Sequence, residues 1–258
     1  MKRIIIILSF LFGFNVFAFQ ISLDPPHYDV TMKPGSAVRK TLTLTNQGKE
    51  NLNVKVYLND WYIQDGKKVF IQSGMTAYSL KNSSMIFPAS FALKPKESRT
   101  VILTLTSAAN EKGGQYGVVF FEAYPLVSIK NSGVSFGGRI GSMIYKEIEG
   151  QVSKVYSLKN LKATLAGNKL YYDYTLINEG NVLLQPKGTL VLMDNKTNEV
   201  FLKEQLKDVI IALPKDTLSK KGFLVLNTIP VKKDNLSLLL TLDFGDDNII
   251  IKEIKVNE

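Results

Sequence analysis

The sequence predicts an all-β protein built from two β-sandwiches in tandem. In short runs, valine, isoleucine, threonine and aromatic residues alternate with polar residues, and Gly, Pro, Asn and Asp separate the runs. This is the pattern of strands joined by tight turns, and no stretch has clear helical periodicity. The pattern begins again after residue 150, so the 258 residues form two domains of ordinary size.

The first half contains six predicted stretches of strand. They are ISLDPPHYDVTM, VRKTLTLTN, NLNVKVYLNDWYI, KKVFIQ, RTVILTLT and YGVVFFEAYP. Pro-Gly at residues 34–35 and Asp-Gly at residues 65–66 supply turns between them, and Trp61 and Phe120 are expected to be buried. Short strands at this spacing favour an antiparallel sandwich of the immunoglobulin type.

The second half repeats this organisation. Residues 42–58 and residues 174–194 both follow the order strand, Asn-x-Gly turn, strand, which indicates an internal repeat of architecture. We therefore predict domains at residues 19–150 and 151–258. Further strands are predicted at residues 200–202, 223–226, 236–244 and 249–256, the last two joined as a hairpin by a turn at residues 245–248.

The N-terminus has the features of a secretory signal peptide covering residues 1–18. Two basic residues precede an apolar run at residues 4–14, and Ala18 ends the segment. We predict cleavage after Ala18, which gives a periplasmic or otherwise exported protein beginning at Phe19. An uncleaved membrane anchor is the alternative, although the apolar run is short for a bilayer span.

The composition excludes several functional classes. The chain has no cysteine, which rules out disulfides and thiolate nucleophiles. Its formal net charge of +9 is spread over single lysines and short pairs. This pattern indicates a solvated surface that favours acidic partners. An exported chain without a basic, aromatic-interleaved motif is not expected to bind nucleic acid.

No residue pattern indicates an enzyme, a cofactor or a metal. His27 is the only histidine, so histidine-rich metal sites are excluded and a Ser-His-Asp triad would depend on this residue alone. Phosphate-binding glycine loops and zinc motifs do not occur in the sequence. The Asp-Asp-Asn run at residues 246–248 suits a hairpin turn better than a calcium site. We expect a binding protein without a small-molecule substrate.

Residues 133–145 are the candidate interaction site. Apolar residues alternate there with a period of two, as in a strand with one apolar face, but four glycines from Gly133 to Gly141 leave gaps on it. A gapped edge strand can accept a strand from a partner, whose main chain supplies affinity and whose side chains supply specificity. An ordinary strand between two domains is the alternative interpretation.

Three segments of the first half follow one another in an order known from one family. They are ISLDPPHYDVTMKPGSAVRKTLTLTNQG, FPASFALKPKESRTVILTL and YGVVFFEAYP, which resemble the N-terminal domain of PapD-like periplasmic pilus chaperones. The second half, with LINEGNVLLQPKGTLVLMD and LTLDFGDD, is similar to the companion sandwich of bacterial chaperone-like surface-assembly proteins. The resemblance implies two immunoglobulin-like domains that meet as a boomerang.

The resemblance also implies a site. In that family the last long strand of the first domain donates alternating apolar side chains to an incomplete pilus subunit. Here the donated side chains would be Val134, Phe136, Ile140 and Ile144. The family's cleft holds the subunit's terminal carboxylate with two basic residues, but the matching positions are His27 and Ser142, and Arg139 would substitute only with a shifted register.

Two functions follow from these expectations. The first is a periplasmic chaperone that binds and caps subunits of a pilus or other surface structure by strand donation, with the subunit and an outer-membrane usher as partners. The second is a structural or adhesive two-domain module of the envelope without chaperone activity. Fold alone does not choose between them.

Overall fold

The structure of this protein is a computed structural model. It describes residues 20–126, 137–207, 209–227, 235–245 and 248–257. Regular structure in these ranges is β-strand, apart from one 3₁₀ turn at Lys81–Ser83. No helix of the described ranges has the length and apolar character needed to cross a membrane. The predicted all-β fold is confirmed.

Among the described residues, ten strands form the first sandwich. They are β1 (Ile21–Asp24), β2 (His27–Met32), β3 (Ala37–Asn46), β4 (Leu52–Gln64), β5 (Lys67–Gln72), β6 (Ser84–Phe87), β7 (Ser90–Leu93), β8 (Ser98–Thr106), β9 (Gly114–Pro125) and β10 (Gly138–Ile148). Sheet I has the order β1-β3-β8-β6, and sheet II has the order β2-β10-β9-β4-β5, with β7 paired to β4. The first core lies between these sheets and includes Leu42, Leu44, Leu103, Leu105 and Phe121.

The first predicted strand is divided between the two sheets. β1 pairs with β3 in sheet I, whereas β2 pairs in parallel with β10 in sheet II. Pro25 and Pro26 lie between β1 and β2, and because proline has no N–H to donate, a ladder is readily interrupted there. This crossing places His27 at the start of the strand that borders β10.

Trp61 and Phe120 are buried as predicted, but they lie outside the core between sheets I and II. Val119 and Phe121 belong to that core, so Phe120 between them points to the opposite face of the sheet. Trp61 belongs to a separate apolar cluster together with Tyr116. We call this opposite face the outer face of sheet II.

Seven strands form the second sandwich within the described part of the chain. They are β11 (Tyr156–Ala166), β12 (Lys169–Asn178), β13 (Lys187–Asp194), β14 (Val200–Gln205), β15 (Thr217–Val225), β16 (Leu236–Asp243) and β17 (Ile249–Lys255). Sheet III has the order β11-β12-β15, and sheet IV has the order β14-β13-β16-β17. The antiparallel pairing of β16 with β17 confirms the predicted final hairpin. β15 begins at Thr217, well before the predicted start at residue 223.

The two sandwiches contain the same asparagine-centred turn. Oδ1 of Asn46 accepts a hydrogen bond from the N–H of Gly48 at 2.9 Å, and Oδ1 of Asn178 accepts one from Gly180 at 3.0 Å. In each case Nδ2 donates to the carbonyl of the residue four positions later, at 2.7 Å and 2.8 Å. The repeat seen in the sequence is therefore also a repeat of hydrogen bonding.

Hydrogen bonds fix the linker between β10 and β11. Asn181 donates from its backbone to the carbonyl of Ser153 at 3.0 Å and from its side chain to that of Gln151 at 3.0 Å. From the first sandwich, Gly113 donates to the same Gln151 carbonyl at 3.1 Å, and Gly114 donates to the carbonyl of Asn181 at 2.9 Å. A Cβ at Gly113 would lie 2.4 Å from the Asn181 carbonyl oxygen, so this approach requires glycine.

An apolar junction completes the contact between the sandwiches. Trp61 and Tyr116 of the first sandwich pack against Ile211 and Leu213 of the second. The N–H of Leu183 in the second sandwich donates to the hydroxyl of Tyr116. The second sandwich therefore covers one end of the outer face of sheet II.

Candidate functional site

The candidate site is the part of β10 that precedes its pairing with β2. β9 pairs with residues 138–147 of β10, whereas β2 pairs only with residues 143–148. Among the residues that the structure describes, no strand pairs with residues 138–142 on the β2 side. We call residues 138–142 on this side the open edge.

The backbone groups of Arg139 and Gly141 point out of the open edge. The N–H of Met143 donates to the carbonyl of Pro26 at 3.0 Å, so this N–H faces away from β9. Because the direction of backbone groups alternates along a strand, the N–H and C=O groups of Arg139 and Gly141 face the same way. Each residue would offer one donor and one acceptor to an added strand.

Arg139 lies over an aromatic cluster on the outer face of sheet II. Its guanidinium carbon is 4.1 Å from the centroid of the Phe120 ring. The ring centroid of Phe120 is in turn 5.0 Å from that of Phe70, edge-on, and 5.9 Å from that of Tyr57. The ring face attracts the cation, while no carboxylate of the described ranges forms an ion pair with Arg139. The exposed guanidinium is therefore available to an acidic group.

Gly141 allows this cluster to lie against β10. A Cβ at this position would be 2.7 Å from Cγ2 of Val118 and 2.8 Å from a ring carbon of Phe120. Both neighbours are buried, and a close-packed interior leaves them little room to move. Gly141 lies on the opposite face of β10 from Ile140 and Ile144, so its missing side chain leaves a gap on the outer face of sheet II, and the ring on which Arg139 lies fills that gap.

His27 and Ser142, which match the family's two basic positions, do not form a cationic pair. His27 is exposed, and its Nε2 lies 3.6 Å from Oδ2 of Asp29. Ser142 is buried, and its hydroxyl has no hydrogen-bond partner in the described part of the structure. The described residues also contain no group of three or more His, Cys, Asp or Glu side chains arranged to hold a metal ion. Arg139 is the exposed cation on this strand.

The structure corrects two features of the predicted interaction stretch. Residues 143–145 are not an edge, because β2 already pairs with them. Ile144 is fully buried in the protein's own first core, so its side chain is not available to a partner in this conformation. Ile140 is half-buried and packs against the same core, whereas Val134 and Phe136 lie outside the described residues.

Lys146 is a buried charge that the sequence analysis missed. Its Nζ donates to Oε1 of Glu111 and to Oε1 of Gln115, both at 2.8 Å, and to the carbonyl of Thr106 at 2.7 Å. Burial lowers the pKa of Lys146, and the adjacent carboxylate of Glu111 opposes this shift. Side chains alternate between the two faces of a strand, so residue 146 faces the core together with Ile144. This alternation could have identified Lys146 as a buried charge from the sequence. These bonds hold the covered half of β10 in place.

Comparison with known proteins gives a fold for nearly the whole chain. No protein-family model matches it, and no curated protein matches its sequence. It is similar to the crystal structure of the class 5 fimbriae chaperone CfaA, with a TM-score of 0.52 and 15% identity over 91% of this chain and 98% of that chain. A structure from work on a chaperone–tip adhesin complex in CFA/I fimbriae biogenesis also matches, with a TM-score of 0.52 and 14% identity over 92% and 100% of the two chains.

At such low sequence identities, the similarity to these structures shows a shared fold and nothing more. The chain has the architecture of a fimbrial chaperone over nearly its whole length, with two immunoglobulin-like sandwiches in tandem. The resemblance to PapD-like chaperones implied two immunoglobulin-like sandwiches in tandem, and this part of the expectation is confirmed.

Proposed function

We propose that this protein is an exported, periplasmic chaperone for subunits of a fimbria or other surface structure, and that it binds and caps a subunit by strand addition at the open edge. The partner is an incomplete subunit, which an outer-membrane usher then receives. The proposal rests mainly on one observation, that the pairing of β2 with β10 stops at Met143. The outward backbone groups of Arg139 and Gly141 are therefore left for a partner strand.

The surroundings of the open edge support this proposal. A strand added there lies beside Arg139, whose guanidinium is held over Phe120 but has no acidic partner in the described ranges. Main-chain hydrogen bonds would supply affinity, and an acidic group of the partner would be recognised by the arginine. The covered half of β10, held by β2 and by Lys146, provides a rigid base for the added strand.

Proline at position 139 tests the role of the edge directly. In Arg139→Pro the outward N–H is lost, while the pairing of β10 with β9 needs no N–H from this residue. Arg139→Ala is the matched control, since it removes the charge but keeps the N–H. Periplasmic partners captured by the wild-type protein would be identified by mass spectrometry, and the recovery of the same partner would be measured with both variants.

We expect Arg139→Pro to reduce recovery by about tenfold or more relative to Arg139→Ala, because an added strand loses a central hydrogen bond and its register. Both variants should unfold at similar denaturant concentrations. Equal recovery with Arg139→Pro and the wild-type protein would show that the open edge does not bind the partner. A loss in Arg139→Ala as large as in Arg139→Pro would assign binding to the charge instead of the backbone.

A further inference from the structure

The second sandwich has an edge strand of its own, β15. β15 pairs with β12 along its whole length, and on its other side no strand of the described residues pairs with it. The N–H of Asn178 in β12 donates to the carbonyl of Asp216, so the even-numbered residues here face β12. The N–H and C=O groups of Ser219, Lys221 and Phe223 therefore point outward.

A cleft of about 290 Å³ opens beside this edge, between β15 and the segment that follows β14. Gly222 contributes no side chain to it, and the hydroxyl of Tyr172 lies 2.5 Å from where a Cβ of Gly222 would be. Aromatic and aliphatic side chains line the cleft, among them Tyr172, Tyr174, Leu206, Ile210 and Leu224. Sheets III and IV are thus incompletely closed along β15, and the opening is lined largely by apolar side chains.

The charge around this edge is positive on balance, although Asp173 lies opposite Lys221 in the pairing of β12 with β15. Lys220 and Lys221 line the cleft without an ion pair to any described residue, whereas Glu204 is already paired with Lys207 at 3.6 Å. On the outward side of sheet III, Nζ of Lys169 lies 5.1 Å from the ring centroid of Phe223. Complementary charge favours an acidic partner and suppresses a basic one.

The face of sheet III that points away from the core also carries apolar side chains along β15. Phe223 is 53% exposed and Val225 is 51% exposed, and Tyr171 on the neighbouring strand is 44% exposed. The ring centroids of Tyr171 and Phe223 are 5.9 Å apart. An edge strand that combines outward backbone groups with exposed apolar side chains is a template for another strand, so this edge fits a partner in extended conformation.

We propose that β15 is a second strand-addition site, which binds an extended acidic segment of a partner protein. Apolar side chains of the segment alternate with Asp or Glu. The apolar side chains enter the cleft, the carboxylates lie near Lys169 and Lys221, and the main chain pairs with Lys221 and Phe223. This site is on the other sandwich from the open edge, so it does not depend on the function proposed above.

The test uses the mature full-length protein and a blocked heptapeptide, acetyl-Glu-Val-Glu-Val-Glu-Val-Glu-amide. Calorimetric titration gives its affinity, and NMR-detected amide hydrogen exchange locates it. The control peptide carries lysine in place of each glutamate. Lys221→Pro removes the outward N–H, Lys221→Ala is its matched control, and the double variant Lys169→Glu with Lys221→Glu reverses the local charge.

We expect the glutamate peptide to bind about tenfold more tightly than the lysine peptide, and the double variant to reverse this preference. Lys221→Pro should lose about tenfold in affinity relative to Lys221→Ala, and bound peptide should slow exchange at Lys221 and Phe223. Circular dichroism would establish that each variant is folded, and the double variant, which keeps the backbone donor, gives an answer even if Lys221→Pro unfolds.

Three outcomes would overturn this proposal. The first is equal binding by Lys221→Pro and Lys221→Ala. The second is slowed exchange at Arg139 and Gly141 instead of on β15, which would place the peptide at the open edge. The third is a dimer of the protein alone that Lys221→Pro abolishes, since a second copy of the chain would then occupy the edge.

Discussion

Gly141 determines how closely the aromatic cluster approaches the candidate strand. We predict that Gly141→Val displaces the ring of Phe120 and destabilises the first sandwich by about 1–3 kcal/mol, the usual cost of overpacking a close-packed site. The free energy of unfolding would be measured by urea denaturation. The change also disturbs Arg139, which lies on that ring.

The neighbouring variant Ser142→Ala is the control for Gly141→Val. It adds no volume and removes a buried hydroxyl that has no partner among the described residues, so its effect should be neutral or slightly stabilising. A Gly141→Val protein as stable as the wild type would mean that Val118 and Phe120 move aside without cost.

At the scale of elements, the paired asparagine turns connect strands in each sandwich. In Asn178→Ala the carbonyl of Val182 loses its 2.8 Å hydrogen bond and the N–H of Gly180 loses its acceptor. Leaving buried polar groups unpaired costs about 1–3 kcal/mol, so we expect a drop of this size in the free energy of unfolding. Asn46→Ala should have a similar effect on the first sandwich.

Asn53→Ala, at an exposed position of β4, is the control for the two asparagine variants and should change the free energy of unfolding by less than about 0.5 kcal/mol. Thermal unfolding monitored by circular dichroism would compare the three proteins. If Asn178→Ala or Asn46→Ala behaves like Asn53→Ala, the side-chain bonds of the turns do not contribute to stability.

The elements could largely be predicted from the sequence, because alternation and turn residues are local signals. The pattern around β10 predicted a strand there, and the two Asn-x-Gly turns predicted the repeat. The pairing of β2 with residues 143–148 could not be predicted, because it joins segments more than a hundred residues apart in the chain. The same limit applies to the contact between Arg139 and Phe120, which depends on the register of β10 against β9.

At the scale of the whole molecule, the buried Tyr116 and the half-buried Tyr78 make the junction sensitive to alkali. Burial, with Asp216 and Asp60 nearby, raises the pKa of Tyr78 to about 12 from an ordinary value of 10.0. Burial also raises the pKa of Tyr116. As the pH rises above 10, the unfolded chain loses these protons first, so the free energy of unfolding should fall with pH.

We predict that Tyr116→Phe reduces this loss of stability above pH 10, because one of the two groups no longer titrates. Urea denaturation of both proteins at pH 8, 10 and 11 would measure it. The titration of Lys146 is present in both proteins, whereas the charge of Tyr78 raises the pKa of Tyr116, so the comparison measures Tyr116 together with this coupling. The same pH dependence in Tyr116→Phe and the wild-type protein would contradict the assignment to the junction.

The position of Trp61 has a practical consequence. It is the only tryptophan in the sequence, and it lies at the junction with its ring centroid 6.3 Å from that of Tyr145 and 4.9 Å from Nζ of Lys68. Fluorescence excited in the tryptophan band therefore reports on the meeting of the two sandwiches and not on either core. If the sandwiches separate while their sheets stay paired, water reaches the indole, and the emission maximum moves to longer wavelength without any loss of β-structure.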